Sequence, residues 1–286
     1  MQERYINFFT DYGFKRLFGS EPNKDCLIDF LNSLFEGKEA PIVDLEYRNT
    51  DKLGSTELDR KAIFDLYCTS SDGSKFIVEL QKAKQQFFKD RALFYSTFPI
   101  QEQAKKGEWN FRLSNIYTIA ILDFVFDDDK DTPHKYLHEV KLTEQETKEV
   151  FYDKLTFIYL EMPHFNKKHS ELKTQQDKWL YAIKNLSQLD SLPDELKADI
   201  FERFFNAAEL AKLGPEDKSI YEDSLKYYRD LNNVIGTAFD DGKVEGKAEG
   251  LTEGVLLSAK KMLDSGMTVE EVSRILNIDP KDLSKL

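Results

Sequence analysis

Apolar residues change their period several times along this chain, and each change marks an element. Between Cys26 and Phe35, Leu27, Ile28, Leu31, Leu34 and Phe35 recur at helical spacing, and Gly37 lies just past the stripe. That pattern predicts a helix. Pro41 to Arg48 sets Ile42, Asp44 and Glu46 against Val43, Leu45 and Tyr47, a period of two that predicts a half-buried strand. A polar loop, Asn49 to Arg60, follows. Ala62 to Cys68 and Lys75 to Gln81 are apolar, aromatic and β-branched runs joined through Asp72-Gly73, so an antiparallel hairpin is expected.

Ala83 to Lys106 has helical composition, and Pro99 inside it is expected to kink or divide the segment. Ile116 to Leu122 is a nearly unbroken apolar run, as in a buried strand reached by a helical crossover. The order helix, strand, strand, strand, helix, strand predicts an α/β fold, a mixed sheet with helices on its faces. Lys135 to Leu142 and Leu155 to Glu161 are candidates to extend the sheet, and Glu171 to about Asn233 reads as helical. In the tail, Gly242, Gly246, Gly250 and Gly254 recur every fourth residue. Interior glycine costs a helix about 0.8–1 kcal/mol, so either a flexible arm or a helix that needs a partner is expected. Residues from Leu256 onward resemble a small helix-turn-helix unit, with Thr268 as N-cap and Glu271 closing a capping box.

Composition narrows the function. With 286 residues, 41% of them hydrophobic and 13% aromatic, one substantial core and a smaller appendage are expected. The formal charge of -12 argues against a surface that tracks nucleic acid throughout, while leaving room for one local groove. Two cysteines, Cys26 and Cys68, without metal-ligand spacing disfavour a disulfide framework or a zinc ribbon. A cytoplasmic protein, with no secretory leader and no membrane partner, is the expectation.

The chemistry centres on the hairpin. Alternation puts Ile63, Asp65 and Tyr67 on one face of the first strand, and Ile77, Glu79 and Gln81 on one face of the second. If the register joins those faces, Asp65 and Glu79 converge as hard oxygen ligands suited to Mg²⁺ or Mn²⁺, and the Leu80 carbonyl is a further candidate ligand. The same two carboxylates are also compatible with ordinary polar positions on a solvated sheet face. Local charge favours the first reading, because Lys75 to Asn115 holds eight Lys or Arg against four acids, a net +4 island of the kind that phosphate contacts require. Other features carry less. His134 and His138 lie in a polar stretch without a third ligand, nucleotide-binding glycine motifs are missing, and the tail from Ser258 balances five basic with five acidic residues.

Several segments taken together resemble the PD-(D/E)XK nuclease family transposases: TDYGFKRLFG at Thr10 to Gly19, Phe64-Asp65, VELQKAKQ at Val78 to Gln85, and Phe88 to Trp109. The likeness is closest over roughly residues 1 to 165. It implies a restriction-endonuclease-like core, Mg²⁺-dependent DNA cleavage and a link to recombination, mobile elements or genome defence. Asp65 then matches the motif aspartate and Glu79 the acidic residue of the (D/E)XK element, while Gln81 stands where the general motif has lysine. Lys84, beyond the strand, is expected to supply that cation in preference to Lys82. Lys15, Lys82, Lys89 and Arg91 are the candidate DNA contacts. The expected division is a nuclease-like domain over 1–165, which the resemblance covers, a helical subdomain over 166–235 read from its apolar pattern, and a Gly-repeat arm with its helical tail over 236–286, through which a homodimer is envisaged. A catalytically degenerate binding module on the same fold is the alternative.

Overall fold

The computed structural model describes residues 3–48, 64–104, 107–127 and 134–283. Six strands form one sheet in the order β1-β2-β3-β4-β6-β5: β1 (Leu45–Tyr47), β2 (Leu66–Ser70), β3 (Lys75–Gln81), β4 (Ile116–Leu122), β5 (Leu137–Thr143) and β6 (Val150–Glu161). β1, β2 and β3 pair antiparallel, β3, β4 and β6 run parallel, and β5 returns antiparallel on β6. The sheet is mixed and flanked by helices, consistent with a restriction-endonuclease-like α/β fold. Two parallel neighbours need a crossover, and α3 (Phe88–Glu102) supplies it between β3 and β4.

Side-chain alternation assigns the two faces. Tyr117, Ile119 and Ile121 of β4 enter the large core with α1 (Asp11–Phe18), α2 (Lys24–Phe35), α4 (Gln175–Asn185) and α5 (Asp199–Ala208). Ile116, Ala120 and Leu122 pack on the other face against Phe88 and Ala92 of α3. Burial on both faces is why β4 reads as a continuous apolar run. In β3, Phe76, Val78 and Leu80 point to the large core and Ile77 to the α3 side, which sends Glu79 and Gln81 toward α3 as well.

The large core is built on aromatic rings. Phe8, Phe14, Phe18, Phe30, Trp179, Phe201 and Phe204 are all almost fully buried, and Phe18 lies 5.1 Å from Phe30 and 5.8 Å from Trp179, centroid to centroid. α4 and α5 therefore share a core with the sheet. α1 starts on Thr10, whose hydroxyl accepts from the Gly13 N–H. A Cβ on Gly13 would lie 2.2 Å from the Asn7 carbonyl oxygen, and one on Gly19 would meet Leu66 at 2.8 Å. Both glycines of the N-terminal motif are thus dictated by close approach. Gly13→Ala is expected to destabilise the fold by about 1–3 kcal/mol, read as a lower urea midpoint with an unchanged slope.

Two expectations need correction. The strand predicted over Pro41 to Arg48 shrinks to three residues, because Asn32 of α2 takes both backbone groups of Ile42: its amide donates to the Ile42 carbonyl at 3.0 Å, and its oxygen accepts the Ile42 N–H at 2.7 Å. Pro99 does not divide its helix; α3 runs through it to Glu102. The proline lies near the C-terminal end, where its missing N–H removes a single bond, and its ring is buried. The polar loop at 49–60, and Ala62 and Ile63 of the hairpin, lie outside the described residues.

The chain divides into two compact units, Met1–Arg229 and Asp230–Leu286. The 50-residue helix α6 (Pro215–Asp264) begins in the first, where Tyr221 accepts the Asn7 N–H at 3.0 Å and Ser224 accepts the Tyr12 N–H at 3.2 Å. In the second unit the helix continues through all four repeated glycines. Ala259 of α6, Val272 of α7 (Val269–Leu276) and Leu283 of α8 (Pro280–Leu283) close a small core there. Thr268 caps α7, with Glu271 accepting the Thr268 N–H in return at 2.9 Å.

Candidate active site

The hairpin register pairs Leu66 with Val78 and Tyr67 with Ile77, so Asp65 enters β2 opposite Glu79. Each carboxylate is held by the other's strand. The Asp65 N–H donates to Glu79 Oε1 at 3.2 Å, and the Leu80 N–H donates to Asp65 Oδ2 at 2.8 Å. Gln81, two residues on and on the same face, directs its amide Nε2 at Glu79 Oε2 across 3.5 Å. Glu79 is 6% and Gln81 9% exposed, so the residues in question are not ordinary solvated positions of a sheet face.

Burial sets their electrostatics. It raises the Glu79 carboxyl well above the usual carboxylate range, and the neighbouring Asp65 charge raises it further. Burial also raises Asp65, against the opposing pull of the Leu80 N–H and of the Lys15 and Lys82 charges. Two carboxylates sharing a dry site resist joint ionisation unless a cation joins them. Among the described residues no group of three or more His, Cys, Asp or Glu is arranged as a complete metal cage. Mg²⁺, however, takes only one or two carboxylates and fills the rest of its shell with water and substrate oxygens, and Asp65 with Glu79 fits that donor set.

The candidate cations separate into two groups. Lys15 pairs with Asp11 at 3.0 Å on α1, and Asp11, Lys15 and Lys82 all act on Asp65. Lys82 is half-buried, which lowers its ammonium below the ordinary lysine value while Asp11 and Asp65 oppose the shift, and its Nζ lies 5.7 Å from the Tyr227 ring centroid. Lys84, favoured on sequence grounds, pairs instead with Asp127. Lys89 sits 4.8 Å over the Phe126 ring. Arg91 donates to Gln85, packs over the Phe88 and Tyr95 rings, and acts electrostatically on Glu79, yet its Nη2 is buried without a hydrogen-bond partner. Sequence reasoning missed Gln85, Asp127 and Tyr227. Their partners lie six, 43 and 145 residues away, and no local pattern links them.

The family model of the PD-(D/E)XK nuclease family transposases matches residues 8–238. The chain belongs to this family. Membership accounts for a nuclease-like fold linked to mobile elements, and the matched span contains the carboxylate pair, both cation groups and the start of α6. No curated protein and no solved structure matches the chain. Among the described residues no helix is long and apolar enough to cross a membrane.

Proposed function

We propose that the protein is a metal-dependent DNA endonuclease, with Asp65 and Glu79 as metal ligands and the Leu80 carbonyl available as a third. The observation that carries this reading is the interlocked pair of carboxylates, Glu79 buried and Asp65 half-buried, each bonded to the other's strand and each raised by desolvation. A divalent ion bound there would supply Lewis acidity and an acidified water for attack on phosphorus. The chain's own residues have separate tasks. Gln81 steadies Glu79 Oε2, orienting the carboxylate without adding charge. Lys82, with Lys15 behind it, offsets charge that develops on the phosphate. Arg91, whose charge acts on Glu79, stands beside the pair on α3 as a further candidate DNA contact.

Residues 1–165 would hold the chemistry, 166–235 complete its core, and 236–286 serve as a partner-binding or dimerising tail. Membership in a transposase family does not require joining activity here, because one hydrolytic site explains cutting alone. The decisive assay incubates supercoiled plasmid with the full chain and Mg²⁺ or Mn²⁺. Nicked or linear product is expected with either ion and none with EDTA. Lys82→Ala is expected to slow the reaction about 10–100-fold, and Lys84→Ala less than threefold. Plasmid that stays intact at high protein concentration refutes the proposal, and the reverse order of the two lysines refutes the role given to Lys82.

A further inference from the structure

Beyond the carboxylate pair, the segment joining β3 to α3 and the segment after β4 enclose a second cleft of about 240 Å³. It lies where open α/β sheets place ligands, outside the carboxyl ends of parallel strands. Phe88, Phe124 and Phe126 form its aromatic wall, with centroids about 6 Å apart, and its rim carries Lys89, Asp90 and Lys84, the last paired with Asp127. Phe87 differs from the other three. Its side chain is 68% exposed, it packs against no other ring among the described residues, and its backbone is left-handed at φ 61°, ψ 29°. A bulky residue adopts that conformation at a cost, and such strain clusters at ligand clamps.

The cleft adjoins the site described above. The Arg91 N–H bonds to the Phe87 carbonyl at 3.0 Å, so Phe87 stands one helical turn before the arginine whose charge acts on Glu79. Its volume falls below the 300–1,000 Å³ of ordinary small-molecule pockets and suits one planar ring system. Lysines beside an exposed aromatic face form the combination that grips a nucleic-acid strand by phosphate and base together.

We propose that this cleft takes an unstacked nucleobase of a DNA strand, with Phe87 as the stacking face, so that the protein favours single-stranded or locally unpaired DNA over perfect duplex. The inference rests on the nuclease reading for the identity of its ligand, but its test does not depend on cleavage. Binding of a fluorescent 12-nucleotide single strand and of the matching duplex is measured by anisotropy in EDTA. Wild type should prefer the single strand. Phe87→Ala should weaken single-strand binding about fivefold or more and duplex binding less than twofold, Phe87→Trp should restore it, and Phe151→Ala, at another exposed ring, should change neither. Phe87→Gly should lose the same binding while melting no lower than wild type, because glycine relieves the left-handed strain. Wild type that fails to bind the single strand, Phe87→Ala that binds it normally, or equal losses on both DNAs would overturn the inference. Phe87-dependent binding by a protein that never cuts plasmid would remove the nuclease reading alone; cutting without Phe87-dependent binding would remove the stacking cleft alone.

Discussion

Asp65→Asn is expected to abolish the calorimetric signal of Mn²⁺ binding and to lower plasmid cleavage by about 10²–10³-fold, with the fold intact. The choice of asparagine follows from the geometry. Asp65 Oδ2 accepts the Leu80 N–H at 2.8 Å, and an amide oxygen can keep that bond, whereas alanine would leave a backbone donor without its partner. The substitution therefore removes charge and leaves shape. Since a divalent ion draws only one or two carboxylates from the protein, loss of one of two removes much of the site. A binding module with a degenerate centre predicts the opposite result: no Asp65-dependent heat of metal binding in the wild type, and equal behaviour of the variant on DNA.

Without metal, the protein should become less stable as pH rises, and Glu79→Gln should cancel most of that loss. Burial lifts the Glu79 carboxyl above its unfolded value of about 4.3, so between the two values the native state holds a proton that the unfolded chain has released. Stability then falls with increasing pH. The contribution is fully present below the unfolded value and is lost as pH climbs through the folded one. Asp65 acts in the same direction. At pH 8 in EDTA, Glu79→Gln should exceed wild type by about 1–3 kcal/mol, because a neutral amide replaces a charge that burial disfavours. Mn²⁺ should reverse the order: it binds the deprotonated carboxylates and stabilises only the native wild type. Denaturant melts from pH 5 to 9, with and without Mn²⁺, test both statements. A flat wild-type profile in EDTA would contradict the stated direction for Glu79.

How much of this was legible in the sequence depends on how local the determining contacts are. The hairpin announced itself through Asp72-Gly73 and through strict alternation, which put Asp65 and Glu79 on faces that the observed register then joins. β4 was visible because both of its faces are buried. The strand expected at Ile42 failed where the side chain of Asn32, ten residues earlier on α2, captured the backbone. The ion pair of Lys84 with Asp127 and the seat of Lys82 against Tyr227 of α6 could not be read, because no nearby residue implies either. The left-handed Phe87 was equally silent, since that conformation is signalled in sequence by glycine or asparagine and not by an aromatic residue.

One consequence of the strand order concerns synthesis of the chain. β3, which carries Glu79 and Gln81, is followed in the sheet by β4 and then by β6, which ends at Glu161. The aromatic core behind α1 closes only when Trp179, Phe201 and Phe204 arrive. A ribosome must therefore release more than two-thirds of the chain before the core that backs the hairpin can close, because the enclosing contacts are non-local. Incomplete chains would carry the hairpin without the core that backs it.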